Sequence, residues 1–362
     1  MRGWKFALLA LLVAAIAGMV VFGALYALDP AHVRATLEPV VAAQDLPPSS
    51  VAENLQWSEV AASAPWTPRD SGEAFVFQNK LWLVGGLNGN GRVGHDHLVE
   101  YWTAPHFNDI WNTQDGVRWH KAAAVSAWAP RRSMSVVLFN DTLWMLGGWS
   151  PVTGYTSDVW TSEDGIRWTR VLARAPWPAR EGQTVEVFQN KLWLIGGVNY
   201  DDGRSKNDVW YSENGVDWEK AAAPPWEPRW DHATAVFDGK LFLAAGMDLT
   251  GNTFKDVWMS LDGQTWTLAA DTVPWESRQG HALESYKEKL WLIGRLNDAE
   301  GDGGNDVWFS HDGSVWEKTA EDPAWTGRED FFSAVFNDRI WIFGGMDSSW
   351  QWRNDVWAAY YP

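Results

Sequence analysis

An all-β fold, a six-bladed β-propeller closed by its own N-terminal strand, follows from two observations. The first is a motif that returns six times. The tryptophan of a Pro-Trp or Ala-Trp element recurs at Trp66, Trp128, Trp177, Trp226, Trp275 and Trp325, at intervals of 49 or 50 residues after a first interval of 62. An arginine follows three residues after each: Arg69, Arg131, Arg180, Arg229, Arg278 and Arg328. The second is the content of each copy. In the cleanest one, TVEVF (184–188), KLWLI (191–195), DVWYS (208–212) and VDWEK (216–220) read as four short strands. Gln189-Asn190 and Asn214-Gly215 separate the outer pairs, and such residues tolerate the positive φ of tight hairpins. Four antiparallel strands in about 50 residues, repeated, describe a propeller blade.

The spacing also predicts how the ring closes. The last copy ends at Asp-Val-Trp357-Ala-Ala-Tyr-Tyr-Pro and lacks a final hairpin. At the other end, Trp57 precedes Trp66 by nine residues, the distance that separates a hairpin tryptophan from the next Pro-Trp or Ala-Trp in the interior copies, except for one interval of eight. The N-terminal strand is therefore expected as the outer strand of the sixth blade, hiding edges that a ring would otherwise expose. Only the segment between Gly-Gly and Asp-Val-Trp varies in length. In a four-stranded meander it shares a face with the blade-to-blade connections, and that face is the expected site of binding.

Residues 1–28 read as a single transmembrane helix. Phe6 to Leu28 is uncharged over 23 residues, and Arg2 and Lys5 before it leave the N-terminus cytoplasmic by the positive-inside rule. Residues 29–53 read as a linker and 54–362 as the propeller, held on the extracytoplasmic side of the cell membrane. A cleaved signal segment and a secreted propeller is the alternative.

Composition narrows the function. A net charge of −17 argues against nucleic acid as a partner, since phosphate recognition needs a basic footprint. With no cysteine, disulfides, thiolate metal sites and a cysteine nucleophile are excluded. No Ser-His-Asp spacing, phosphate loop or dinucleotide fingerprint occurs.

The Arg229-Trp-Asp-His232 element, the Gly-Gly after an apolar strand and the spaced aromatic after it resemble the kelch repeat of the galactose-oxidase-like β-propeller superfamily, over about residues 54–362. The hairpin from Ser162 to Trp168 similarly resembles a shortened Asp-box. The resemblance implies a kelch-type propeller and leaves function open, because that superfamily holds binders and enzymes alike. Galactose oxidase itself uses a tyrosine–cysteine crosslink beside copper, which a chain without cysteine does not build.

Twenty-nine tryptophans invite a claim of sugar binding, yet 23 sit at periodic blade positions where packing explains them. Phe242 fills the remaining periodic site. Outside Trp4, the others are Trp102, Trp149, Trp230, Trp350 and Trp352, all on the variable face and expected there as exposed aromatics. Arg295 replaces the second glycine of Gly-Gly, an arginine expected to be strained if that site needs positive φ. With Asp231 and His232 these residues form the candidate binding set. The repeat arginines read as structural, and their ring as a source of anion attraction at the central mouth.

His95, Asp96 and His97 in the first-copy insertion suit a divalent metal only in part, and the acidic loop 297–306 lacks the order of a calcium hand. No metal and no cofactor is expected. The reading is a membrane-anchored, extracytoplasmic propeller that binds a protein or a glycan through its variable face. The alternative is a carbohydrate-active enzyme (a sugar epimerase, lyase or hydrolase) drawing on Asp231, His232, Glu181 and Glu329 at the channel mouth.

Overall fold

The computed structural model describes residues 54–91, 102–295 and 304–362. Within them six four-stranded antiparallel sheets follow one another, and the innermost strand of each packs on those of its two neighbours, so the ring is closed. In the third blade the strands are Thr184–Phe188, Lys191–Ile195, Val209–Ser212 and Glu219–Lys220. The expected fourth strand is shorter than its sequence segment because the hairpin is built from side chains. Asn214 Oδ1 accepts the N–H groups of Val216 and Asp217, and Ser212 Oγ accepts that of Gly215. These bonds replace the ladder with a capped turn.

The sixth sheet takes Phe332–Phe336, Arg339–Phe343 and Val356–Tyr360 from the end of the chain and Gln56–Ala61 from its beginning. Gln56 pairs with Tyr360 and Trp57 with Ala359, as the spacing of Trp57 predicts. Trp57 then makes the edge contact to Trp325, at 5.8 Å between rings, that hairpin tryptophans make elsewhere, as Trp218 does to Trp177 at 6.2 Å.

Aromatic residues join adjacent blades at a second place. A Cβ added at Gly165 would meet the ring of Trp82 in the preceding blade, at Gly215 that of Trp144, and at Gly263 that of Trp193. Those hairpin glycines let the turn lie flat on a buried indole, and each is also left-handed, with φ of 75°, 75° and 76°. Phe242 meets Gly313 in the same way, so the one phenylalanine among these sites keeps the contact.

Every repeat arginine is buried and paired with a carboxylate. Arg180 donates from Nε to the Pro178 carbonyl, from Nη1 to the Gly196 carbonyl and to Asp208 Oδ1, and from Nη2 to Asp208 Oδ2. The Trp210 indole donates to the same carboxylate at 2.8 Å. Equivalent pairs join Arg69 to Asp109, Arg131 to Asp158, Arg229 to Asp256, Arg278 to Asp306 and Arg328 to Asp355. Burial alone would raise these aspartates; the guanidinium outweighs it and holds all six below the ordinary carboxylate range.

No helix among the described residues is long and apolar enough to cross a membrane, and the Phe6–Leu28 segment lies outside them. The closure predicts a stability effect. Deleting residues 54–61 removes an edge strand and Trp57. Loss of a packed tryptophan alone costs about 3–5 kcal/mol, so the melting temperature is expected to fall by about 10 °C or more and the transition to broaden. Calorimetry of the truncated chain checks this, and an unchanged, sharp transition would contradict closure by this strand.

Candidate functional site at the channel mouth

The second residue after each repeat arginine is left-handed: Ser71, Ser133, Gly182, Asp231, Gly280 and Asp330 have φ between 48° and 62°. Their backbones form a closed ring about the axis. Ser133 N–H donates to the Ser71 carbonyl at 2.6 Å, Gly182 to Ser133, Asp231 to Gly182, Gly280 to Asp231, Asp330 to Gly280, and Ser71 to Asp330. Only residues tolerant of this region, here serine, glycine and aspartate, occupy the six places.

Above the ring lies a cavity of about 260 Å³, lined by Arg132, Glu181, Tyr200, Trp230, Asp231, Met247, Glu329, Asp330 and Trp350 among others. The residues one and two places after the repeat arginines supply its charges. Arg132 pairs bidentately with Glu181 of the next blade, at 2.8 and 3.0 Å, and its guanidinium lies 4.9 Å from the Trp149 ring and 5.2 Å from that of Trp102. Gln279 donates to Glu329 at 3.3 Å, and Ser71 Oγ to Asp330 at 2.9 Å. Burial, and then the charge of Asp330, pushes Asp70 and Asp231 well above the usual aspartate range; burial raises Asp330 as well.

Aromatic rings form an arc along one side. Trp149 meets Trp102 edge-on at 4.9 Å, Trp102 meets Tyr200 at 6.1 Å, and Tyr200 meets Trp230 at 5.7 Å. Across the mouth, Trp350 is set in place by a turn in which Asp347 accepts the N–H groups of Ser349 and Gln351 and pairs with Arg353. Trp350 itself is left-handed at φ 57°, a cost for a bulky residue that clusters with functional positions.

The sequence-predicted residues divide accordingly. Trp230, Asp231 and Trp350 line the mouth cavity. Trp102 is exposed at the rim, at 47%. Trp149 and Trp352, expected to be exposed, are buried: Trp149 lies under Trp102 and Arg132, and Trp352 covers Gly89, where even a Cβ would clash. His232 is a buried wedge between blades, bonded through Nε2 to Thr184 Oγ1, and burial lowers its pKa to about 3. Arg295 is not strained. Gly294 alone takes positive φ, and Arg295 prolongs its strand to pair with Gly304. It faces Asp306 at 3.8 Å rather than the mouth cavity. The arginine ring does not attract anions, because each member is neutralised by its aspartate. The mouth is acidic instead. Glu181 and Glu329, weighed for the enzyme alternative, do line it. Arg132, Asp330 and Asp70 went unmarked, although the run of serine, glycine and aspartate two residues past each arginine is a legible signal of the ring. His95, Asp96, His97 and most of the 297–306 loop lie outside the described residues, among which no group of three metal-ligating side chains assembles.

Below the ring the axis continues into a cavity of about 610 Å³ between the inner strands. Glu73, Glu186 and Glu284, from alternate blades, face it half-buried, and burial pushes their pKa values to about 8, 7 and 7. Glu186 accepts from Thr234 at 2.8 Å and Glu284 from Ser333 at 2.6 Å.

The model of the KLHDC2/KLHL20/DRC7 Kelch-repeats domain matches residues 162–345, 184 of the 362 residues. The chain belongs to the kelch-repeat β-propellers. Among solved structures, one titled "Structure of YjhT" is similar in fold, with a TM-score of 0.65 at 16% identity, covering 82% of this chain and 96% of that one. No curated protein matches the chain.

The channel glutamates predict a pH effect on stability. Folded protein keeps these protons where the unfolded chain, with glutamates near about 4.3, has lost them. Folded protein thus binds more protons than unfolded, and stability falls as pH rises from about 4.5 to about 8. Against the opposite trend of buried His232, which is charged in the unfolded chain below about pH 6.5, the glutamates themselves are expected to contribute a drop of several degrees in melting temperature between pH 5 and pH 8. Glu73→Gln should remove much of that drop while changing little at pH 5, as thermal melts across the range would show.

Proposed function

We propose that the propeller is a ligand-binding module whose site is the channel mouth, and that it takes a group of a protein or a glycan there. The observation that carries this reading is the cavity of about 260 Å³, walled by Tyr200, Trp230 and Trp350 and floored by carboxylates. Apolar walls with a few convergent polar groups are the usual composition of a small-ligand site. Aromatic rings with a polar edge suit a sugar face or an extended side chain equally. The expected result in a glycan array and a peptide display against the full chain is a ligand whose affinity falls at least about tenfold, 1.4 kcal/mol, in Trp230→Ala with an unchanged melting temperature. Ligands insensitive to that substitution would place binding elsewhere.

A second reading, a carbohydrate-active enzyme, draws on Asp231 and Asp330. Carboxyl groups whose pKa values are raised by burial beside other carboxylates are the kind of pairing that general acid–base catalysis uses. Conversion of an array-positive glycan, followed by NMR, decides between binding and turnover.

Residues 1–28 we propose as the anchor and 29–53 as the tether that hold the propeller on the extracytoplasmic side. The uncharged stretch Phe6 to Leu28 supports this. The chain is expected to stay with membranes through an alkaline carbonate wash, and release of a shorter, mature form would indicate a cleaved signal instead.

A further inference from the structure

The mouth as ligand site is the reading on which this step rests, and we infer that the group it recognises is a cation, an ammonium or guanidinium carried by the ligand. Charge is the first argument. Glu181, Asp231, Glu329 and Asp330 line the cavity, and among the described residues Arg132 is the sole lysine or arginine lining it. Arg132 is committed to Glu181 through two hydrogen bonds and is backed by two indoles, so that pair cancels within the wall and leaves the carboxyl groups of Asp231, Glu329 and Asp330 to face a ligand.

A buried carboxylate supplies the second argument. Asp70 is 1% exposed, and its Oδ1 has no hydrogen-bond partner. It directly precedes Ser71, which lines the mouth, and the charges of Asp330 and Arg132 act on it. The side chains of Trp352 and Ser71 beside it do not offset its burial, and a cation placed above the ring would lower that cost.

The walls are the third. Trp230 and Tyr200 stand edge to face beside Asp231, and Trp350 stands opposite. Ring faces beside carboxylates are the surroundings in which organic cations bind, and the interaction strengthens when the site is desolvated. The volume suits one residue-sized group, an amine-bearing sugar or a lysine or arginine side chain.

The raised aspartates fit this reading and give it a separate readout. Asp231 is faced by Asp330, Glu181, Asp70 and Arg132, and burial with like charge raises its pKa well above the usual aspartate range. A bound cation favours the ionised form, so binding releases protons, and affinity rises with pH until the aspartates are ionised without the ligand.

Paired probes that differ only in charge test it on the full chain. These are methyl glucosaminide against its N-acetyl form, and Nα-acetyl-lysine methylamide against its Nε-acetylated form, with glucuronate as the anion. Titration calorimetry in buffers of different ionisation enthalpy reads both affinity and proton release. The expected result is that at least one free amine binds about tenfold or more tighter than its acetylated twin. Proton release should accompany it, and both should be lost in Asp231→Asn, whose near-UV circular dichroism stays unchanged. The sugar and lysine arms identify the source of the amine. Equal or tighter binding of the acetylated or anionic probes, abolished by Trp230→Ala, would overturn the cation while leaving the mouth as the site. Binding that Trp230→Ala does not affect would overturn both. Absence of binding by every probe would overturn the cation proposal, while array ligands sensitive to Trp230→Ala would still support the mouth.

Discussion

Everything in this ring hangs on a buried ion pair made six times. Each repeat arginine ties the segment that enters a blade to the carbonyl at the first Gly-Gly position of that blade, Ala245 in the fourth, and to the aspartate at the start of its third strand. The aspartate holds the next tryptophan in turn. Removing one partner from such a pair leaves a charge in a dry interior, at about 3–5 kcal/mol. The pair is therefore better understood as a register device than as a source of net stability. It sets how far the variable loop travels before the chain must return, which is why loop length can change without moving the strands.

That arrangement separates two kinds of residue that look alike in sequence. Periodic tryptophans and arginines are consumed by blade-to-blade contact. Trp82 and Trp193 lie under hairpin glycines, and Arg180 spends four of its five N–H donors on its own blade. Residues one and two places beyond each arginine are excused from that duty and meet at the axis instead. Arg132 sits directly beside Arg131, yet one faces the mouth and the other the interior. Adjacent residues at a strand's start point to opposite sides, and chemistry follows direction rather than residue type.

The fold was legible because its determinants repeat. Trp57 could be placed in the sixth blade by counting alone, and the hairpins followed from Asn-Gly and Asp-Gly. The site was less legible because it is defined by what differs between copies. Asp, Arg, Glu, Trp, Gln and Glu follow the six arginines, and no period distinguishes a ligand-facing glutamate from a solvated one. Trp149 and Trp352 show the same limit. Loop tryptophans outside the repeat were expected at the surface, but burial depends on a neighbour, Trp102 or Gly89, that sequence distance does not reveal. At Arg295 the expected strain vanished because a longer strand gave the residue an ordinary partner, Gly304.

The hydrogen-bonded ring at the waist has a consequence for how such a protein can change. Its six N–H groups and six carbonyls all run tangentially, each spent on the neighbouring blade. None of these N–H groups is left to point up the axis, so this part of the backbone offers an arriving molecule no donor of its own. Sealing and recognition are thereby uncoupled. The ring behaves as a gasket, and the side chains standing on it can be exchanged one at a time, within the small set that left-handed geometry permits. A family built on this plan can re-line its mouth for new chemistry while the seal beneath stays as it is.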